Sequence, residues 1–292
     1  MTVGSIDSPS KLPIGDLGAP SSAATQSHSM TQIDHTFVFI GGLHRSGTSL
    51  VSRCLADHPA TSGFHDTGAP EDEGQHLQSV FPRASAYGGP GKFGFAQAMH
   101  LTESSSLVTA ESRRLLREEW SRHWDTTRTH LVEKSPPNLI KARFLQAMFP
   151  SSSFVFILRH PVAVAGATKK WKRRTPLAKL VEHWVVCHEI MRADLGHLHR
   201  AKVIHYEHLV MRPAEVLADL FRFVGLEPVD VDREVRSNVN ESYFAQWESW
   251  KREFFNGRSI RKAQRHLEER ISRFGYSLVD LRADLRSPSS TP

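Results

Sequence analysis

Between Gly42 and Ser49 the chain reads Gly-Leu-His-Arg-Ser-Gly-Thr-Ser, a glycine-bounded polar loop set directly after the apolar run Phe37–Ile40. A turn of this kind followed by a helix makes an anion cradle: backbone N–H groups point inward and the helix N-terminus adds partial positive charge. The spacing fits G-x-x-x-x-G-K-[ST], the phosphate loop of nucleoside triphosphatases, with one departure. Thr48 stands where the lysine belongs, and Arg45 places a cation inside the loop instead. The question is therefore which phosphate is held. Two further polar clusters, Glu133-Lys134-Ser135-Pro136-Pro137-Asn138 and Arg159-His160-Pro161, each follow an apolar stretch. Basic residues in both, beside a glycine loop, suit an anion with more than one phosphate-like group.

The elements that must position these residues alternate. Phe37–Ile40 and Phe154–Leu158 are continuously apolar, the pattern of parallel strands covered on both faces. Two further strands are predicted at His130–Val132 and Lys202–Tyr206. Helices are predicted at Ser46–His58, Thr102–Trp120, Leu139–Phe149, Val162–Lys172, Leu177–His199, Ala214–Gly225 and Ile260–Phe274. The fold class is α/β, a P-loop-like three-layer sandwich with a central, mostly parallel sheet flanked by helices. Ligands of such sheets bind outside the carboxyl ends of the strands, where all three polar clusters fall. From Ala60 to Leu101 the pattern dissolves into Gly, Pro and acidic residues, and a loop of that length inside a compact domain is expected to shape a binding site. Residues 1–34, rich in Ser, Thr, Gly and Pro, are expected to be a disordered tail, 35–285 the folded domain and 286–292 a flexible end.

The 292-residue chain has 39% hydrophobic and 23% charged residues, ordinary for a globular protein, with a formal net charge of +6 that favours an anionic partner. No run is long enough to span a bilayer and no secretory signal pattern opens the chain, so a cytoplasmic location is expected. Cys54 and Cys187 read as buried thiols, and the 17 histidines form no metal-ligand cluster, so no metal is expected. The run Lys169-Lys170-Trp171-Lys172-Arg173-Arg174 could attract an anionic donor, acceptor or lipid surface. No nucleic-acid module surrounds it, and nucleic acid is not an expected partner.

Taken together and in order, Gly-Gly-Leu-His-Arg-Ser-Gly-Thr-Ser, Glu-Lys-Ser-Pro-Pro-Asn, Phe-Ile-Leu-Arg-His-Pro-Val-Ala and His-Tyr-Glu-His-Leu resemble the sulfotransferases that use 3′-phosphoadenosine 5′-phosphosulfate (PAPS), in particular the branch of the protein-tyrosine enzymes and their bacterial relatives. The resemblance covers about Phe37 to Gly225. It implies that Arg45, Ser46, Gly47, Thr48 and Ser49 wrap the 5′-phosphosulfate, that Arg159 grips the 3′-phosphate, that Tyr206 lies near the adenine, and that Lys134 lies near the transferring group. The product would be adenosine 3′,5′-bisphosphate (PAP). Sulfuryl carries less charge than phosphoryl, so no Mg²⁺ clamp is required.

The pattern also breaks. The serine that commonly follows the 3′-phosphate arginine by eight residues is Ala167 here, and the aspartate that often follows it directly is His160. Thr168, Lys169 or Lys170 could make up the missing contact. The resembled branch places a base in the loop after the first helix, where Glu71 and Glu73 are favoured over His65 and His76 without a choice between them. With Arg45 and Lys134 as the cations, the expected reaction is in-line sulfuryl transfer to a hydroxyl, less readily an amine, of a small-molecule or carbohydrate-like acceptor. The competing readings are a nucleotide kinase or NTPase with a degenerate loop and a non-catalytic nucleotide-binding protein; Thr48 and the absence of a clear Mg²⁺ aspartate argue against the first.

Overall fold

The computed structural model describes Met1, residues 34–231, Arg233 and residues 239–283. The expected tail, apart from Met1 and Asp34, lies outside the described residues, as do Ser237, Asn238 and the chain end from 284 onward.

In chain order the elements are β1 (Thr36–Gly42), α1 (Thr48–Ala56), β2 (Thr61–Gly63), α2 (Ala110–Ser121), β3 (His130–Lys134), α3 (Ala142–Met148), β4 (Ser152–Leu158), α4 (Pro161–Lys169), α5 (Leu177–Leu195), β5 (Ala201–His205), α6 (Tyr206–Met211), α7 (Pro213–Val224), α8 (Val239–Arg252) and α9 (Phe254–Ser272). The strands form one parallel sheet in the order β2-β3-β1-β4-β5.

The continuous apolar runs are explained by the two covered faces. On one face of β1 and β4, Phe37, Phe39, Phe154 and Phe156 pack with Trp120, Phe149 and Trp184 in an aromatic core. The intervening residues Val38, Ile40, Val155 and Ile157 turn to the other face, against Val51, Cys54 and Leu55 of α1 and Leu217, Leu220 and Phe221 of α7. Side chains of successive strand residues point to opposite faces, so Phe37–Ile40 and Phe154–Leu158, in the middle of three layers, meet an apolar core on both sides. Each fully buried side chain of this size contributes roughly 1.5–3 kcal/mol. Both cysteines are buried free thiols, Cys54 in the aliphatic core and Cys187 in the aromatic one.

Several boundaries differ from the sequence reading. β2 was hidden because Thr61-Ser62-Gly63 has no apolar run; it exists through pairing of Thr61 with His130 and Gly63 with Val132. The helix predicted from Thr102 starts only at Ala110, where the Thr109 hydroxyl accepts the Ser112 N–H at 3.0 Å as an N-cap. β3 runs on through Lys134, so Glu133 and Lys134 are strand residues. Pro136–Ile140 forms a separate 3₁₀ turn before α3, and α6 begins at once after β5. The predicted stop at Gly225 holds: it adopts φ 89° as the C-cap of α7.

Candidate active site

Strand register brings the three polar clusters to one edge. Ile40 of β1 lies opposite Lys134 of β3, Gly42 lies opposite Ile157 of β4, and Leu158 lies opposite His205 of β5. The residues that come next, Arg159 and Tyr206, therefore leave the sheet side by side, next to the loop between β1 and α1. The guanidinium carbon of Arg159 lies 4.2 Å from the Tyr206 ring centroid.

The loop is held in an uncommon conformation. Gly47, before α1, has φ 107°, and a Cβ there would lie 2.7 Å from Cδ2 of Tyr206. Arg45 has φ 71°, a left-handed conformation that costs a non-glycine residue about 1 kcal/mol or more. Arg159 Nη1 donates to the Arg45 carbonyl at 2.8 Å, which holds the strained residue in place. Ser46 is buried and its Oγ has no hydrogen-bond partner among the described residues. Thr48 is buried at the start of α1 and Ser49 is half-buried behind it.

Arg159 is the centre of a larger network. Its Nε donates to Asn240 Oδ1 of α8 at 2.8 Å, while Nη2 is buried without a partner among the described residues. Burial pulls the guanidinium below its ordinary pKa, opposed by Tyr206 and Glu207. Asn240 Nδ2 donates in turn to Glu207 at 2.7 Å, and Glu207 also accepts from the His160 N–H at 2.9 Å and the Tyr276 hydroxyl at 2.8 Å. His160, where an aspartate is common, accepts the Val162 N–H on Nδ1 at 3.2 Å and so caps α4; burial lowers it to about 3, which keeps the imidazole neutral and able to accept. Asn240, Glu207 and Tyr276 were not singled out from the sequence. Glu207 sits inside the quoted His-Tyr-Glu-His stretch, but no local pattern marks Asn240 or Tyr276, whose roles rest on long-range contacts.

The alternatives for the missing serine separate by geometry. Ala167 packs with Ala163 against Tyr243 of α8. Thr168 is buried and lines a small cavity with His44 and His183. Lys169 Nζ donates to the carbonyls of Arg173 and Thr175, both at 2.8 Å. Lys170 Nζ lies 5.2 Å from the Tyr243 ring centroid, and Arg159 lies 5.7 Å from the same centroid. The rest of the basic run is also engaged: Lys172 Nζ donates to Gly88 O at 2.8 Å, and the half-exposed Trp171 ring lies 5.3 Å from the Arg45 guanidinium. Much of the run thus ties the end of α4 to its surroundings.

The acidic segment is sewn to the strand ends. Gln75 N–H donates to Ser135 Oγ at 2.9 Å, Trp120 Nε1 to Gly74 O at 3.0 Å, and Lys141 Nζ to Pro82 O at 3.0 Å. Glu133, pushed up to about 7 by burial, accepts from Ser135 Oγ at 2.6 Å and from Asn138. Within this frame Glu71 and Asp72 have φ of 54° and 49°. Glu71 is exposed and presents its carbonyl oxygen to Lys134 Nζ at 2.5 Å. Glu73 is buried, with Oε1 3.7 Å from Lys134 Nζ, Gln75 donating to Oε2, and His76 Nε2 3.8 Å away. Burial raises the Glu73 carboxyl, with Lys134 and Gln75 opposing. His65 is exposed and pairs with Asp66 at 3.0 Å. Another residue the sequence reading passed over is His44, whose ring packs against Phe93; burial and nearby Lys134 lower it to about 3.

A cradle after the central strand β1, buried cations at the ends of β3 and β4 on either side of it, and a buried carboxylate beside one of those cations gather anion-holding and proton-accepting groups at one sheet edge. The model of the Sulfotransferase family matches residues 38–231, and the chain belongs to that family. Protein-tyrosine sulfotransferase 2 of Gallus gallus is 23% identical over 205 residues, which cover 65% of this chain and 51% of the relative. The chain thus spans about half the length of that curated relative. Among solved structures, the sulfotransferase domain of the Synechococcus olefin synthase shares 18% identity over 80% of this chain and 95% of its own, with a TM-score of 0.47. The sulfotransferase of Alicyclobacillus acidocaldarius shares 17% over 80% and 96%, with a TM-score of 0.44, and mouse SULT7A1 complexed with PAP shares 13% over 75% and 67%, with a TM-score of 0.39. No helix among the described residues is long and apolar enough to cross a membrane.

Proposed function

We propose that the protein transfers a sulfuryl group from PAPS to a hydroxyl group of a small-molecule or carbohydrate-like acceptor, without a metal. The observation that carries this reading is Arg159, a buried guanidinium fixed on two sides, with Nη2 left unpartnered beside the cradle. Burying a donor without a partner costs about 1–3 kcal/mol, more for a charged group, and a 3′-phosphate would supply the acceptor that Nη2 lacks. Ser46 Oγ, equally buried and unpartnered, stands in the same relation to the 5′-phosphosulfate. Two such donors at adjacent strand ends fit a nucleotide with two separate anionic groups. Lys170, sharing the Tyr243 ring with Arg159, supplies the second 3′-phosphate charge in place of the absent serine.

When bound, the donor supplies the electrophilic sulfur and a phosphate leaving group. Glu73 takes the acceptor proton: it is buried, its pKa is raised toward the working range of a base, and Lys134 keeps its ionised form in reach. Glu71 serves by its carbonyl, which holds Lys134. Lys134, Arg45 and the N–H groups of Gly47–Ser49 face the charge that grows on the leaving phosphate, the type of fixed electrostatic stabilisation that dominates many group transfers; the Ser46 N–H is taken by the Leu43 carbonyl.

The test is calorimetric, with PAP and adenosine 5′-monophosphate titrated into the same protein. A charge-assisted contact to the 3′-phosphate predicts PAP binding tighter by about tenfold to hundredfold. Equal affinities would sink the donor assignment.

A further inference from the structure

Beside the loop region lies an open cleft of about 640 Å³, within the roughly 300–1,000 Å³ of small-molecule sites. Its walls are mainly apolar and include Tyr87, Phe95 and Pro176. Its lining includes Lys92, Arg174 and Lys179, and no carboxylate lines it among the described residues. Lys179 pairs with Glu182 at 2.9 Å, whereas Lys92 and Arg174 make no ion pair among the described residues. Gly91, which has φ 76°, lines both this cleft and the small cavity that holds His44 and Thr168, and His44 in turn lies close enough to Lys134 to feel its charge. A Cβ on Gly91 would lie 2.6 Å from Leu180 Cδ2 and 3.3 Å from Thr168 Cγ2, so the backbone here is packed closely against the small cavity.

Resting on the sulfotransfer reading above, we propose that this cleft binds the acceptor and that the acceptor is an anionic amphiphile. Its apolar body lies along Phe95, Tyr87 and Pro176, its carboxylate or other anionic group lies between Lys92 and Arg174, and its hydroxyl lies at the Gly91 end. An apolar wall rewards a hydrocarbon body, and an uncompensated pair of cations rewards one anionic group at the solvent end. A neutral hydrophobe would use the walls and leave the cations unanswered. A sugar would answer the cations poorly and leave the walls wet.

The test compares ω-hydroxydodecanoate with its methyl ester, titrated calorimetrically into the full chain with and without saturating PAP. Two exposed ion pairs predict that the acid binds about tenfold more tightly than the ester. In the double variant Lys92→Ala/Arg174→Ala the two should bind alike, at the affinity the ester shows with the unsubstituted protein. Equal binding of acid and ester by the unsubstituted protein, a preference that survives the double substitution, or no binding of either compound would overturn the proposal. The PAP titration on the same sample reports separately on the donor site: its failure would remove the sulfotransfer reading while leaving the acid–ester preference measurable without nucleotide.

Discussion

The Glu73→Gln variant is expected to fold normally, bind PAP within about twofold of the unsubstituted protein, and lose turnover by about 10²- to 10⁴-fold, the usual worth of a positioned general base. Glutamine keeps the size and can still accept from Gln75, but it cannot take a proton. The readout is transfer of radiolabelled sulfuryl to the best hydroxyl acceptor of the unsubstituted protein. The pH profile adds a second signature. A base acts deprotonated, and burial raises the Glu73 pKa, so activity should rise with pH through a limb displaced above the ordinary carboxylate range and then level off. That limb should vanish in the variant. A Glu71→Gln substitution should change turnover little, since Glu71 reaches Lys134 through its backbone oxygen. If Glu71→Gln instead abolishes transfer and Glu73→Gln does not, the assignment of the base is reversed.

The second large effect is expected from Arg159→Ala. The side chain has three attachments: the Arg45 carbonyl, Asn240 and the Tyr206 face. Removing it withdraws the proposed 3′-phosphate contact and also releases Arg45 from its left-handed conformation, so the cradle and the phosphate grip should fail together. PAP affinity is predicted to fall by about 10²- to 10³-fold, the effect of losing a buried charge-assisted hydrogen bond plus loop preorganisation. Adenosine 5′-monophosphate should lose less, because it depends on the cradle alone. Equal losses for the two nucleotides would mean that Arg159 acts only by shaping the loop.

Where burial on both faces dictates composition, the fold was readable. Phe37–Ile40 and Phe154–Leu158 are apolar at every position because each strand lies between an aromatic and an aliphatic core, and the polar residues that follow them had to fall at one sheet edge. The motif order identified the family that the matched span from residue 38 to 231 bears out. What escaped were features with no local signal. β2 is three residues held by backbone pairing, and the Asn240–Glu207–Tyr276 network joins three segments far apart in the chain. The difference between an exposed Glu71 and a buried Glu73, on which the proposed base rests, follows from the turn with positive φ at Glu71 and Asp72, which two identical carboxylates two residues apart cannot reveal. From sequence the basic run offers only charges that could attract an anion; which carbonyls Lys169 and Lys172 reach, and that Lys170 lies over the Tyr243 ring shared with Arg159, are set by the folded chain and leave no signal in the run itself.

The central claim, a metal-free site for a 3′-phosphorylated nucleotide, meets its most direct test in one paired titration of chelator-treated protein. PAP without metal should bind tightly, and ATP with Mg²⁺ should bind weaker by at least about tenfold, since Thr48 offers no lysine to a γ-phosphate and the buried Arg159 Nη2 finds no 3′-phosphate on ATP. Tight binding of ATP that requires Mg²⁺, with weak binding of PAP, would contradict the account.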